Sequence, residues 1–301
     1  MGMCNSANVC STEICCKDRL DTERLIVKPK SGGGEGFDIT NSQRQTTILE
    51  DNFLRKDCKE LHCELEVISS SCLEQGSVFV ITPYGLPNSF RSPKDSTTYF
   101  GCKKRSKLPD GQKGPIVNDI VFPLEDDNLA EMHRGRHFQI TYDQKSESYS
   151  LLDLGLGFGC YLKLTQPITL MDEQLLQVGK VFIVLKLVRS PDNILPRLEV
   201  RVYGSSNSSI NFCFPPIPER QSLTIGRLPE NDIPILDDDL LSKKQCTLFW
   251  TKSNWLLTDG DLEQPSTNGT WIYVNRQWPL LEGDLIKASN TLFRVSLKSL
   301  C

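Results

Sequence analysis

Histidine is scarce in this sequence: 301 residues contain three, His62, His133 and His137. Nucleophile-and-base chemistry and His-ligated zinc enzymes therefore have little to draw on, and no Gly-x-Ser-x-Gly elbow or kinase signature stands in for them. Charge of one sign is also lacking. Lys and Arg number 34 against 38 Asp and Glu, for a net of −4, and the short basic group Lys103-Lys104-Arg105-Lys107 reads as a solvated loop. Nucleic-acid binding has no support from such a balance. No apolar run approaches the ~20 residues that cross a bilayer, and no secretory signal is present. Twelve cysteines are many, but they are spread from a cluster at Cys4, Cys10, Cys15 and Cys16 to single positions such as Cys213 and Cys301. That distribution and the missing signal lead us to expect reduced thiols rather than a disulfide framework. The triplet Asp237-Asp238-Asp239 reads as a solvated turn rather than as an acid–base pair. No cofactor, metal site or enzymatic activity is expected.

What the chain does contain is concentrated between residues 225 and 271. Ile225-Gly226-Arg227 is followed by Asn231-Asp232-Ile233, then by Leu241-Ser242-Lys243-Lys244-Gln245 and Trp255-Leu256-Leu257-Thr258-Asp259. Ser266-Thr267-Asn268-Gly269-Thr270-Trp271 completes the series. Short apolar runs alternate with Gly, Pro, Asn and Asp, which predicts short strands joined by turns. The turns carry donors suited to an anion. Arg227 has the planar fork that matches phosphate. Ser242 offers a hydroxyl, Lys243 a second cation, and Thr267 and Asn268 a hydroxyl and an amide. Taken alone, Ser242 and Asn268 are equally able simply to close turns.

The order Gly-Arg, Asn-Asp-Ile, Ser-Lys-x-Gln and Ser-Thr-Asn-Gly-Thr resembles the forkhead-associated (FHA) domain. The resemblance implies a β-sandwich that binds phosphothreonine peptides through its loops. Arg227, Ser242 and Lys243 would hold the phosphate; Asn268 and Thr267 would hold the peptide backbone. Two departures stand out: Lys243 replaces the family's Arg, and Gln245 replaces its loop-bracing His. Gln245 can still donate a hydrogen bond, so the brace is expected to survive.

A second, weaker copy is expected upstream. Gly101, Asn118-Asp119-Ile120, Asp153 and Gly159 repeat the order of Gly226, Asn231-Asp232-Ile233, Asp259 and Gly269. The spacing suggests two copies of one domain rather than a solenoid. This copy also resembles the FHA family, but Cys102 stands in the place of Arg227, Arg134 in that of Ser242 and Phe158 in that of Asn268. His137 keeps the bracing position. Without the Arg fork and the Asn amide a buried phosphate would lack its main partners. The copy is therefore expected to have lost phosphothreonine binding and kept its sandwich.

The chain opens Met1-Gly2-Met3-Cys4-Asn5-Ser6. Gly2 with Ser6 fits N-myristoylation, and Cys4 is placed for palmitate. One myristoyl chain binds membranes only marginally, so Cys4 would supply the second signal. Residues 31–36 are a glycine-rich break. Apolar residues spaced by three or four over residues 46–68 predict one amphipathic helix. The cysteines and His62 around it match no common zinc spacing. Within the tail, Thr47 precedes Glu50 and Asp51 in the manner of an acidophilic kinase site, which makes the phosphorylated tail a candidate ligand for a neighbouring molecule.

The sequence thus predicts an all-β protein. A flexible tail with one short helix, residues 1–75, precedes a degenerate FHA-like domain at 76–189 and an FHA domain at 195–301. The expected function is a non-enzymatic phosphothreonine-binding adaptor, cytoplasmic and held at a membrane by acyl chains. The alternative is an adaptor, soluble in cytoplasm or nucleus, whose sandwiches bind partners without phosphate.

Overall fold

A computed structural model describes residues 61–91, 95–122, 135–189, 196–204, 209–215, 222–251 and 254–299. These fall in one compact unit, Lys59–Cys301. Gly2, Cys4, Thr47, His133 and Arg134 lie outside the described residues, as does the expected helix up to residue 60. Every element among the described residues is a strand.

The first strand corrects one expectation. Leu61–Ser70, the end of the expected helix, is strand β1, with Cys63, Leu65 and Val67 buried and their neighbours half-buried. Leu61 and Leu65 satisfy a period of four and a period of two alike. The alternation Cys-Glu-Leu-Glu-Val, with β-branched Val67 and Ile68 following, favours the pleated strand.

From there the chain runs through β2 (Val78–Ile81), β3 (Thr97–Gly101), the β4–β5 hairpin (Arg105–Lys107, Lys113–Ile116) and β6 (Ile120–Val121). β7 (Phe138–Asp143), β8 (Ser148–Asp153) and β9 (Cys160–Lys163) follow. β10 (Ile168–Thr169), β11 (Gln174–Val178) and β12 (Val181–Val188) lead into β13 (Arg197–Tyr203) and β14 (Ser209–Phe214). The stretch singled out above forms β15 (Ser222–Gly226), β16 (Ile233–Pro234), β17 (Cys246–Trp250), β18 (Trp255–Asp259) and β19 (Trp271–Tyr273). β20 (Trp278–Pro279), β21 (Leu285–Ala288) and β22 (Thr291–Ser299) end the fold.

Two apolar cores form, and they do not follow the boundary at 189–195. One core is built from residues between Cys63 and Leu162 together with Val274, Leu280, Ile286, Phe293 and Val295. The other draws wholly on residues between Leu164 and Ile272. The pairing explains this division. β22 pairs with β1, and β12 pairs with β13, instead of each last strand returning to the first strand of its own repeat. Likewise β20 joins β8, and β10 joins β18. One sandwich, residues 164–272, is therefore inserted into another, the outer one. The chain leaves the outer sandwich after β9 and returns through β19. Those two strands pair with each other, and this pairing fuses the halves into a ten-stranded sheet ordered β14-β13-β12-β11-β19-β9-β21-β22-β1-β2. Two five-stranded sheets, β10-β18-β17-β15-β16 and β20-β8-β7-β3-β6, complete the two sandwiches.

Candidate functional site

The site grows from the end of β15. A Cβ on Gly226 would overlap the carbonyl of Lys243, so only glycine lets the two loops meet here. The Arg227 N–H then donates to the Ser242 carbonyl at 3.0 Å. Asn231, buried, donates through Nδ2 to the carbonyls of Leu228 and Lys243, each at 2.8 Å. The loop bearing Arg227 is thereby sewn to the loop bearing Ser242 and Lys243.

Gln245 ties in the third loop. It is fully buried, its Oε1 accepts the Ser242 N–H at 3.1 Å, and its Nε2 donates to Ser266 Oγ at 2.8 Å and to the Gly269 carbonyl at 3.0 Å. A side chain with both a donor and an acceptor can hold two loops at once. Asp259, at the end of β18, accepts the Ser266 N–H and the hydroxyls of Ser266 and Thr270 at 2.7–2.9 Å. These bonds fix the 266–270 turn from below. On the open side, Ser242 Oγ accepts the Thr267 N–H at 2.8 Å, and Asn268 Nδ2 donates to the Leu240 carbonyl at 2.7 Å.

All five sequence-derived candidates thus stand on three loops joined by this network. Arg227, Lys243, Thr267 and Asn268 are exposed and Ser242 is half-buried. Neither Arg227 nor Lys243 forms an ion pair among the described residues. The loops can present an anion with two cations, hydroxyls and an amide without first breaking a salt bridge.

The acidic triplet departs from the solvated turn expected of it. Asp238 is buried and accepts the N–H of Lys180 at 2.6 Å and of Leu240 at 3.0 Å. Asp239 pairs with Lys180 at 2.7 Å, and this contact lowers its carboxyl below the usual range. Sequence reasoning also missed Asn231 as a loop tie, although the repeated Asn-Asp-Ile at 118–120 pointed to it.

The residues of the outer sandwich that the sequence comparison set against these make contacts of a different chemistry. Asn118 Nδ2 donates to the carbonyls of Lys103 and Gly135 at 2.7 and 2.9 Å, as Asn231 does in its own half. Cys102, in the place of Arg227, is buried, and burial pushes its thiol pKa up. His137 is buried in the place of Gln245, and its Nδ1 lies 3.2 Å from Ser289 Oγ on the β21–β22 turn. Asp153, in the place of Asp259, accepts the Tyr273 hydroxyl at 2.7 Å, and burial raises its carboxyl pKa. Among the described residues no group of three or more His, Cys, Asp or Glu is arranged to hold a metal.

The family model of the FHA domain matches residues 223–288, from β15 to the end of β21. The match takes in Arg227, Ser242, Lys243, Thr267 and Asn268 and crosses from the inserted sandwich into the outer one. FHA domains are, as a family, phosphopeptide-binding interaction modules and typically not enzymes. No curated protein and no solved structure matches the chain.

Proposed function

We propose that this chain is a non-enzymatic adaptor that binds phosphothreonine peptides on its inserted sandwich. The observation that carries the reading is the buried Gln245, which locks the Ser242 loop to the Asn268 loop beside an Arg227 that has no ion partner among the described residues. A phosphate brings about −1.5 to −2 charge at neutral pH. Arg227 meets it with a forked, charge-assisted contact, Lys243 and Ser242 meet further oxygens, and Asn268 with Thr267 holds the peptide backbone. The outer sandwich, with Cys102 and Phe158 at the corresponding places, takes no phosphate in this reading. Acyl chains on Gly2 and Cys4 hold the adaptor at a membrane, where Gly2→Ala would release it to the soluble fraction; a soluble acylation-competent wild type would refute the tether.

Calorimetry of the full chain with matched threonine and phosphothreonine peptides tests the binding. Only the phosphorylated form should bind, and Arg227→Ala should cost about 2–5 kcal/mol, as expected when one partner of a desolvated charge pair is truncated. A second reading, an adaptor indifferent to phosphate, draws on a groove of about 210 Å³ whose apolar lining of Val181, Val202, Ile210 and Leu236 is edged by Lys180, Asp237 and Asp238. Partner binding that survives Arg227→Ala would favour it.

A further inference from the structure

One cation beside the site comes from outside the stretch that builds it. Lys163 ends β9 in the outer sandwich and is the register partner of Trp271 across the β9–β19 pair. That register carries its side chain over Gly269. A Cβ at position 269 would overlap Lys163 Cε and lie 3.2 Å from its Cδ and its Nζ. Gly269 also has φ +78°, a conformation that disfavours any other residue. The space left by the bare glycine is filled by the lysine stem, and the ammonium rests beside Gly269, the residue that follows Asn268.

That ammonium forms no ion pair or hydrogen bond among the described residues. Asp259 lines the same open cavity, of about 340 Å³, but both its carboxylate oxygens are occupied by Ser266 and Thr270. Glu263, also on the rim, is exposed and makes no ion pair with Lys163. The other half provides the contrast. In Gly159-Cys160-Tyr161-Leu162-Lys163 and Gly269-Thr270-Trp271-Ile272-Tyr273, the last residues correspond. Each crosses to the opposite half. Tyr273 spends its hydroxyl on Asp153 at 2.7 Å and is satisfied internally. Lys163 has no such partner among the described residues, which leaves its ammonium open to a ligand.

We propose that Lys163 reads a second negative charge on the bound peptide, an acidic side chain flanking the phosphothreonine on the Asn268 side. The outer sandwich, which has lost its own phosphate ligands, would thereby set part of the specificity of the inserted one. The inference rests on the phosphopeptide reading above. The expected effect is about two- to five-fold in affinity, or about 0.4–1 kcal/mol, the upper part of the range for an exposed ion pair.

The test uses the full chain and phosphothreonine peptides of neutral background in which one glutamate is moved through the flanking positions. Wild type should bind at least one glutamate peptide about two- to five-fold tighter than the neutral peptide. Lys163→Gln should bring that ratio to one with an unchanged melting temperature, and Lys163→Glu should invert it. A ratio that survives Lys163→Gln, equal weakening of both peptides, or no glutamate preference in wild type would each overturn the proposal. Those outcomes leave phosphate dependence and its loss in Arg227→Ala intact, whereas a chain that binds no phosphothreonine peptide sinks the proposal and the reading together.

Discussion

The backbone N–H of Leu164 donates to the carbonyl of Thr270 at 2.8 Å, which sets the chain's entry into the inserted sandwich, just after β9, beside its exit, just before β19. Insertion without strain needs entry and exit that are close together, and this bond provides it. A fragment covering residues 164–274 should therefore fold alone with a cooperative melt. Residues 195–301, the span a consecutive division would select, should not. That span lacks Leu176, Val178, Val181, Ile183 and Leu185, all buried in the inserted core. Each contributes about 1.5–3 kcal/mol, and together they rival the about 5–15 kcal/mol of net stability a domain possesses. Dispersed amide resonances from 195–301, or their absence from 164–274, would reject the insertion.

Gln245 is the second point of leverage. Gln245→Ala should cost about 2–4 kcal/mol in urea denaturation, because buried partners on two loops lose their bonds at once. Phosphopeptide affinity should fall with it. Gln245→His should lose less than half as much stability, since an imidazole also offers one donor and one acceptor. Equal losses for the two substitutions would show that volume, not hydrogen bonding, matters at this position.

Lys287 predicts a pH effect. It lies on β21 with its ammonium 4.6 Å from the Trp271 ring centre and 5.4 Å from that of Tyr161. Burial pulls its pKa down from 10.5 to about 8. The aromatic faces favour the cation and return part of that cost. With the folded value below the unfolded one, the unfolded chain binds more protons between about pH 8 and 10.5, so this residue makes stability rise with pH there. The group is still partly hydrated, and the gain should be about 1 kcal/mol after solvent screening. Lys287→Met should flatten that rise in melting curves between pH 7.5 and 10. An identical rise in the variant would assign it to other groups.

The tail segment around Thr47 can be tried as a ligand directly. Asp238 is turned into the fold and Asp239 is paired with Lys180, which leaves Asp237 as the acid of that triplet to oppose Glu50 and Asp51. We predict that a peptide of residues 41–53 phosphorylated on Thr47 binds the full chain and that its unphosphorylated twin does not. Arg227→Ala should abolish the heat. No heat, or equal heat from both peptides, would remove the tail as a ligand.

The strands, the turns and the five loop residues were legible because each is written locally, in alternation and in Gly, Asn and Asp at fixed spacing. The exchange of partners was not. β1 and β13 both carry Leu-Glu-Val at their centres, at 65–67 and 198–200, and either could align on β12 or β22. What separates the two arrangements is that β12 takes β13, the next strand in the chain, as its antiparallel partner, from Val188↔Arg197 to Phe182↔Tyr203. Read along the chain, the stretch between Val188 and Arg197 passes for an interdomain linker. Lys163 was equally hidden, because nothing near position 163 announces that its side chain will cover a glycine a hundred residues later.

The register of β1 and β22 sets how the protein would bear load. Leu61 and Ser299 are direct partners at one end of that antiparallel pair. A pull between these two ends would peel the strands apart one residue pair at a time, the weak geometry for a sheet. The inserted sandwich, entered and left through adjacent strands, lies off that line of force. The loops bearing Arg227, Ser242 and Asn268 would keep their ties while the outer sheet opened, so separation at Leu61 and Ser299 and loss of a peptide held by those loops would be separate events.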